Sequence, residues 1–268
     1  MPGIHFLLWY CVNKSKQLFR FALSYYSPNP SEVSLVRLSL PEPRAFWRLA
    51  DRRCWQAFAA AIFLISVPVF IEAPLVRTLP WVSLAITLLW FGIGIGWRRR
   101  SPESLWPDLL IGFAWTWLAG SIYWGWLRLE PTWHLPIEAI GVPFAVWSIR
   151  QNYAKVGYYF YLGSLVGTSL TDVYYYLSGL IPYWRQFMVL DINQAGDLLP
   201  DAIAQATTPW GLTWGIILAG GLVLMGCLPL LSTPPRSHWW AFSGAVLSTI
   251  LVDGLFFTTA IVAAQWTL

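Results

Sequence analysis

Seven long apolar runs account for most of this chain, and an α-helix needs about 20 apolar residues to cross a bilayer. The runs lie near residues 54–71, 76–97, 105–127, 136–149, 156–181, 210–231 and 239–266. Charged residues make up 11% of the chain, whereas soluble domains contain about 25%. The sequence therefore predicts an all-α fold, a polytopic transmembrane helical bundle over residues 44–268. Its basic residues adjoin apolar runs, which favours membrane lipids over nucleic acid as their partner.

The fourth run is the shortest, with Glu138 near its start and Pro143 inside it. It is either a full span or a re-entrant segment, so the bundle has seven spans or six. With seven spans and a cytoplasmic N-terminus, fourteen of the seventeen Lys and Arg residues lie on the cytoplasmic side; with six, twelve do. Because cytoplasmic loops are enriched in Lys and Arg, seven spans are favoured. The cytoplasmic basic anchor then includes Arg52, Arg53, Arg98, Arg99 and Arg100.

The N-terminal segment, residues 1–43, differs from the rest of the chain. From Ser27 to Pro43 it is rich in Pro and Ser, residues that interrupt regular structure. We expect residues 1–43 to be poorly ordered or to lie at the membrane interface.

Two acids, Asp172 and Asp253, lie well inside predicted spans, where a carboxylate is costly unless it is paired, hydrogen-bonded or protonated. In each segment a Thr, Thr168 or Thr249, lies one turn before the Asp on the same helix face. These four residues predict an intramembrane polar cluster. It is either a proton or cation site, as in secondary transporters, or an interhelical hydrogen-bond cluster that stabilises the bundle; the second interpretation is favoured.

The two segments around these acids align without a gap at an offset of 81 residues. Gly163 aligns with Gly244, and aromatic residues follow each Asp three and four positions later. With seven spans the fifth and seventh helices run in the same direction, so the alignment is compatible with a duplicated helix pair. Duplication and coincidence are equally supported.

His134 and Glu138 are four residues apart in HLPIEAIGVPF, and a helix would place them on one face. They are a candidate pigment or metal contact, although capping with a salt bridge to Arg128 is favoured. The third run carries four Trp residues, for which either pigment or quinone contact or simple packing is expected, packing being favoured. No dedicated metal site and no catalytic motif is evident, so we predict a protein that is not an enzyme.

Pairs of glycines four residues apart allow two helices to approach closely. The sequence predicts such packing faces at Gly163 and Gly167, and at Gly92 and Gly96.

Three blocks carry a resemblance to a known family: SPESLWPDLLIGFAWTWLAGSIYWGWLRLEP, WHLPIEAIGVPFA and YFYLGSLVGTSLTDVYYYLSGLIPYWRQ. They resemble a cyanobacterial integral-membrane family labelled domain of unknown function 3120, over roughly residues 50 to 265. The resemblance implies a thylakoid membrane, or alternatively a plasma membrane, and an accessory role in photosystem II assembly. It supplies no assigned site residues.

Two functions are therefore expected. The first is a non-enzymatic assembly or stabilising factor whose partners are photosystem II subunits or assembly factors, with chlorophyll or carotenoid as candidate cofactors. The second is a secondary transporter or ion pathway that uses Asp172 and Asp253. The first is favoured, because transporters commonly contain broken helices with several polar groups that converge near the membrane midplane.

Overall fold

The computed structural model describes residues 51–190 and 196–266, and its regular elements there are all helical. The predicted N-terminal segment, residues 1–43, lies outside the described residues. In the described part, the α-helices are α1 Arg52–Ser66, α2 Val69–Thr78, α3 Pro80–Arg100, α4 Leu105–Ile122, α5 His134–Glu138, α6 Val142–Arg150, α7 Lys155–Leu177, α8 Ile181–Val189, α9 Leu199–Ala206, α10 Pro209–Cys227 and α11 Ser237–Trp266.

Within residues 51–190 and 196–266, four helical stretches are long and apolar enough to cross a membrane, and they indicate an integral membrane protein. They are Arg52–Thr78, Pro80–Arg100, Pro209–Leu231 and Ser237–Gln265. The first combines α1 and α2 and extends beyond the predicted run at 54–71. A proline at position 68 separates its two halves, since proline cannot donate the backbone hydrogen bond that continues a helix.

The other three predicted spans, α4, residues 131–150 and α7, are not among these four stretches. Most of α4 is buried by its neighbours, so its residues need not be soluble in lipid. Helix α7 carries Ser, Thr, Tyr and Asp side chains that other helices cover in part. The all-α membrane fold is therefore established at the level of four candidate spans, while seven spans and a cytoplasmic N-terminus stay predictions.

Helices α1, α4, α7 and α11 pack together and run in the same direction. Between α1 and α11, Trp55 contacts Trp240 near the helix starts, and Phe70 of the adjoining α2 contacts Phe256 farther along, with ring centroids 4.9 and 5.6 Å apart. Between α7 and α11, a Cβ at Gly163 would lie 2.6 Å from the Phe242 carbonyl oxygen. The aligned segments of the sequence thus lie side by side in parallel.

Residues 131–150 form an interrupted helix. A 3₁₀ turn at Pro131–Trp133 leads into α5, a second 3₁₀ turn at Ala139–Gly141 follows, and α6 completes the segment. Proline at positions 136 and 143 removes two backbone donors, which explains why no single α-helix covers the segment. The interruption places the side chains of α5 beside α4 and α7.

The ends of the helices bearing the predicted basic anchor meet at one end of the bundle, here called the basic end. Arg53 donates to the Glu103 carbonyl oxygen, and Arg98 forms an ion pair with Asp108 at the start of α4. Arg98 also lies over the Tyr153 ring, 4.6 Å from its centroid. Arg98 therefore joins helices to each other, whereas Arg52, Arg99 and Arg100 are exposed.

The two predicted glycine faces have different surroundings. Gly163 and Gly167 lie against α11, and a Cβ at Gly167 would collide with the Thr249 hydroxyl. Around Gly92 and Gly96, nothing lies within 4 Å of an added Cβ, so this pair packs against no other described helix. The tightest approach involves Gly112 of α4 and Gly157 of α7, whose backbones meet directly.

Candidate functional site

A cavity of about 220 Å³ lies between α1, α2, α4, α5, α7 and α11. It is in the half of the bundle away from the basic end, and both interrupted segments border it. Its polar lining comprises Glu72, Thr116, His134, Glu138, Ser164, Thr168, Thr171, Asp172, Thr249 and Asp253. The predicted polar cluster and the predicted His134 and Glu138 pair are therefore parts of one site. The volume is enough for several water molecules or a small ligand.

His134 is the centre of one half of the site. Its Nδ1 atom lies 2.8 and 3.0 Å from the two carboxylate oxygens of Asp172, and its Nε2 atom is 3.9 Å from Glu138 Oε1. Tyr123 stacks on the imidazole, with ring centroids 4.1 Å apart. For the His134 and Glu138 pair, the sequence favours capping with a salt bridge to Arg128. In the structure, Arg128 instead donates to the Trp124 carbonyl oxygen at 3.2 Å. The side chain that pairs with His134 comes from a helix 38 residues farther along.

Asp253 is the centre of the other half. The Thr171 hydroxyl donates to Asp253 Oδ2 at 2.8 Å, which links α7 to α11. Thr168 and Thr249 line the cavity, but the hydrogen bond to Asp253 comes from Thr171, not from either of them. The reason is geometric: parallel helices in this register place position 171 beside position 253.

Glu72 is a fourth cavity acid, which the sequence analysis missed. The Ser121 hydroxyl donates to Glu72 Oε1 at 3.4 Å, and Ser121 and Ser83 share a 2.7 Å hydrogen bond behind it. Gly120 makes room for the carboxylate, because a Cβ there would lie 2.7 Å from Glu72 Oε1. The predicted first run ends at residue 71, one residue before Glu72, whereas the helical stretch continues to Thr78.

The Trp-rich third run mainly packs inside the protein. Trp115 stacks on Phe144 with centroids 4.7 Å apart, and Trp117 donates to the Ser83 carbonyl oxygen at 3.1 Å. Trp124 borders the cavity beside His134, and Trp126 is exposed against Trp81. The cavity is smaller than the roughly 300–1,000 Å³ of pockets for drug-sized ligands, so it suits a small ligand better than a pigment. Among the described residues, no group of three or more His, Cys, Asp or Glu side chains is arranged to hold a metal ion.

The charges of the cavity are unbalanced. Four carboxyl groups face one imidazole, and no Lys or Arg among the described residues lines the space. Ionised acids within a membrane protein are costly unless cations or protons compensate them. The cavity is thus chemically suited to binding protons or small cations.

The fold and the cavity define the class: an all-helical integral membrane protein with an acidic cavity between its helices. The chain belongs to the family described as Protein of unknown function (DUF3120), whose model matches residues 61–261. The resemblance noted from the sequence blocks is confirmed at the level of this family. No curated protein and no solved structure matches the chain.

Proposed function

We propose that this protein is a proton-coupled membrane transport protein whose transport site is the acidic cavity. One observation carries the proposal: four carboxyl groups from α2, α7, α11 and the broken segment converge on one space with a single imidazole. Ionisable residues inside membranes commonly mark proton relays and substrate pathways. The cavity has more carboxyl groups than basic groups. While these carboxyl groups lie within the bilayer, protons or cations have to compensate their charge.

The broken segments support the same proposal. The sequence analysis favoured an assembly factor because no interrupted helix with converging polar groups was evident. Within the described residues, the helices are interrupted near Pro68, which lines the cavity, and at Ala139–Gly141, directly after the cavity residue Glu138. Broken helices at a substrate site are a recurrent device of secondary transporters, because they supply backbone groups and a place for hinge motion. We propose seven crossings with a cytoplasmic N-terminus, with residues 131–150 as the fourth.

Proton movement into proteoliposomes tests the proposal. The purified chain is reconstituted with a pH-sensitive dye inside, the membrane potential is set with potassium and valinomycin, and the outside is acidified. The lumen contains potassium alone, or potassium with sodium or choline, so that a counter-ion is available if exchange requires one. We expect protein-dependent proton entry in at least one of these conditions.

Substitutions decide whether the cavity carries that movement. Asp253→Asn and Asp172→Asn keep the side-chain shape and remove the charge, and we expect each to lower the rate at least tenfold. Glu103→Gln is the matched control, since Glu103 is exposed at the basic end. Proton entry no faster than in protein-free vesicles under all conditions, or equal rates in all three variants, would contradict the proposal.

Docking onto a photosynthetic pigment-protein complex stays a prediction from the family resemblance. Exposed aromatic side chains such as Trp147 and Trp210 are available to a partner, although lipid would cover them equally well. Pull-down in mild detergent with mass spectrometry, combined with an absorption spectrum, tests it. Photosystem subunits in the eluate are the expected result, and a colourless preparation without them contradicts it.

A further inference from the structure

The cavity lining combines acids with apolar and aromatic side chains. Alongside the four carboxyl groups, its surface includes Leu64, Ile65, Phe113, Trp124 and Val252. A site for protons alone needs no apolar surface of this kind. Hydrocarbon groups and a tryptophan beside carboxylates suit a ligand that carries a positive charge on an apolar body.

Glu138 is an independent indication that something binds here. It is 8% exposed and borders the cavity. Among the described residues no hydrogen bond reaches its carboxylate, and His134 Nε2, which belongs to a cation only when the imidazole is protonated, lies 3.9 Å from Oε1. Its backbone carbonyl, in contrast, accepts a hydrogen bond from the Tyr161 hydroxyl. A largely buried carboxyl group without a hydrogen-bond donor from the protein is costly, so water in the cavity, a proton or a bound cation has to compensate it.

The chemistry of the lining separates organic from inorganic cations. Inorganic cations such as Ca²⁺ or Mg²⁺ take six or more oxygen ligands at fixed short distances. Although four acids and a histidine line the cavity, no three His, Cys, Asp or Glu side chains among the described residues are arranged to hold a metal ion together. The apolar lining supplies no ligands. An alkylammonium ion places its charge near carboxylates, its carbon atoms against Leu64 or Phe113, and one face against the Trp124 ring.

From this combination we infer that the cavity binds a small organic cation of the alkylammonium class, in exchange for a proton. The groups that face the ligand are Glu72 from α2, His134 and Glu138 from α5, Asp172 from α7 and Asp253 from α11, whereas α1 and α4 present only uncharged side chains. The same carboxyl groups accept either the proton or the cation, so each bound cation releases about one proton. The inference rests on the proposed function and names its cargo.

Equilibrium binding tests the inference without transport. Tetramethylammonium is the probe, since it carries a permanent charge and no proton of its own. The purified full chain in detergent is titrated by calorimetry in two buffers of different ionisation enthalpy, which counts the protons released. We expect about one proton released per cation, and an affinity that weakens about tenfold for each unit by which the pH falls.

Matched controls define the chemistry of the ligand. Sodium chloride at equal ionic strength tests the inorganic cation, and tert-butanol tests an uncharged body of similar size. Glu138→Gln is expected to lower the affinity at least tenfold, and Glu103→Gln to leave it unchanged. Protection of the cavity acids of the unmodified protein from dicyclohexylcarbodiimide by tetramethylammonium, read by mass spectrometry, supports the inference independently of any variant.

Four results would overturn the inference: no binding of tetramethylammonium, binding without proton release, equal proton release with sodium, or equal binding of tert-butanol. Any of these together with proton entry into vesicles leaves the proposed function intact with a different cargo. Binding with proton release but without proton entry rejects transport instead, and leaves a cation-binding membrane protein.

Discussion

The His134 and Asp172 pair illustrates what a single contact contributes within a membrane bundle. Both side chains are largely enclosed, at 13% and 15% exposed, and they join the broken segment to α7. Removing Asp172 leaves His134 with only the more distant Glu138, and removing His134 leaves Asp172 without this partner, whereas removing both eliminates the pair. We predict that His134→Phe and Asp172→Leu each destabilise the protein more than the double variant does.

A double-mutant cycle measures this coupling. Thermal unfolding of each variant in the same detergent gives the interaction energy, and we expect it to be about 0.5–3 kcal/mol. Effects of the two substitutions that simply add would show that the pair is not energetically coupled. Glu138 is kept unchanged in all variants, because it approaches the other nitrogen of the imidazole.

At the residue level, the sequence identifies candidate residues where the cost of burial is visible. Asp172 and Asp253 were identified because an acid inside an apolar run needs compensation. His134 and Glu138 were identified by their spacing, but a sequence has no means of showing that Asp172 lies across from His134, since helix packing decides that contact. Glu72 was missed because it follows an apparent end of the first run, and only the fold shows that α2 continues the span.

The contact between Gly112 of α4 and Gly157 of α7 predicts how two helices depend on each other for stability. A Cβ at Gly112 would lie 2.6 Å from the Gly157 carbonyl carbon, and backbone atoms cannot move aside as a flexible side chain can. Gly112→Ala therefore has to separate the two helices. We predict a loss of about 1–3 kcal/mol or more, the usual cost of overpacking, observed as a lower melting temperature in detergent.

Gly92→Ala is the control for that substitution, because nothing lies within 4 Å of the added Cβ. Alanine also favours helix over glycine by roughly 1 kcal/mol, so this variant should unfold at the same or a higher temperature. Equal melting temperatures for the two variants would show that the α4 and α7 contact does not limit stability.

At the same scale, the sequence predicted helices better than their interruptions. The apolar runs located the helices, since their lengths match a bilayer. The aligned acids lie on parallel helices, as the seven-span threading requires, but their preceding segments differ: α10 is continuous over Pro209–Cys227, whereas residues 131–150 are broken. The duplication hypothesis thus stays a prediction that the structure neither requires nor excludes.

At the scale of the whole molecule, the path of residues 131–150 determines the topology. If this segment crosses the membrane, the two sides of the bundle alternate through seven spans, and Gln151 emerges on the same side as Ser101. A re-entrant path would instead bring Gln151 out with Glu130, away from the basic end at which Tyr153 lies under Arg98. Positions 101, 130 and 151 are exposed, so each is accessible to a label.

Labelling of single cysteines in intact cells distinguishes these two topologies. Ser101→Cys, Glu130→Cys and Gln151→Cys are each introduced into a chain whose native cysteines are replaced, and a membrane-impermeant maleimide is added from outside. Because fourteen of the seventeen basic residues lie on one side in the seven-span threading, we expect labelling of position 130 only, with 101 and 151 labelled after the membrane is permeabilised. Labelling of 130 and 151 together would establish six spans. The segment that lines the acidic cavity would then enter and leave the membrane on the same side. That arrangement is expected of a one-sided binding site and not of a pathway between two faces.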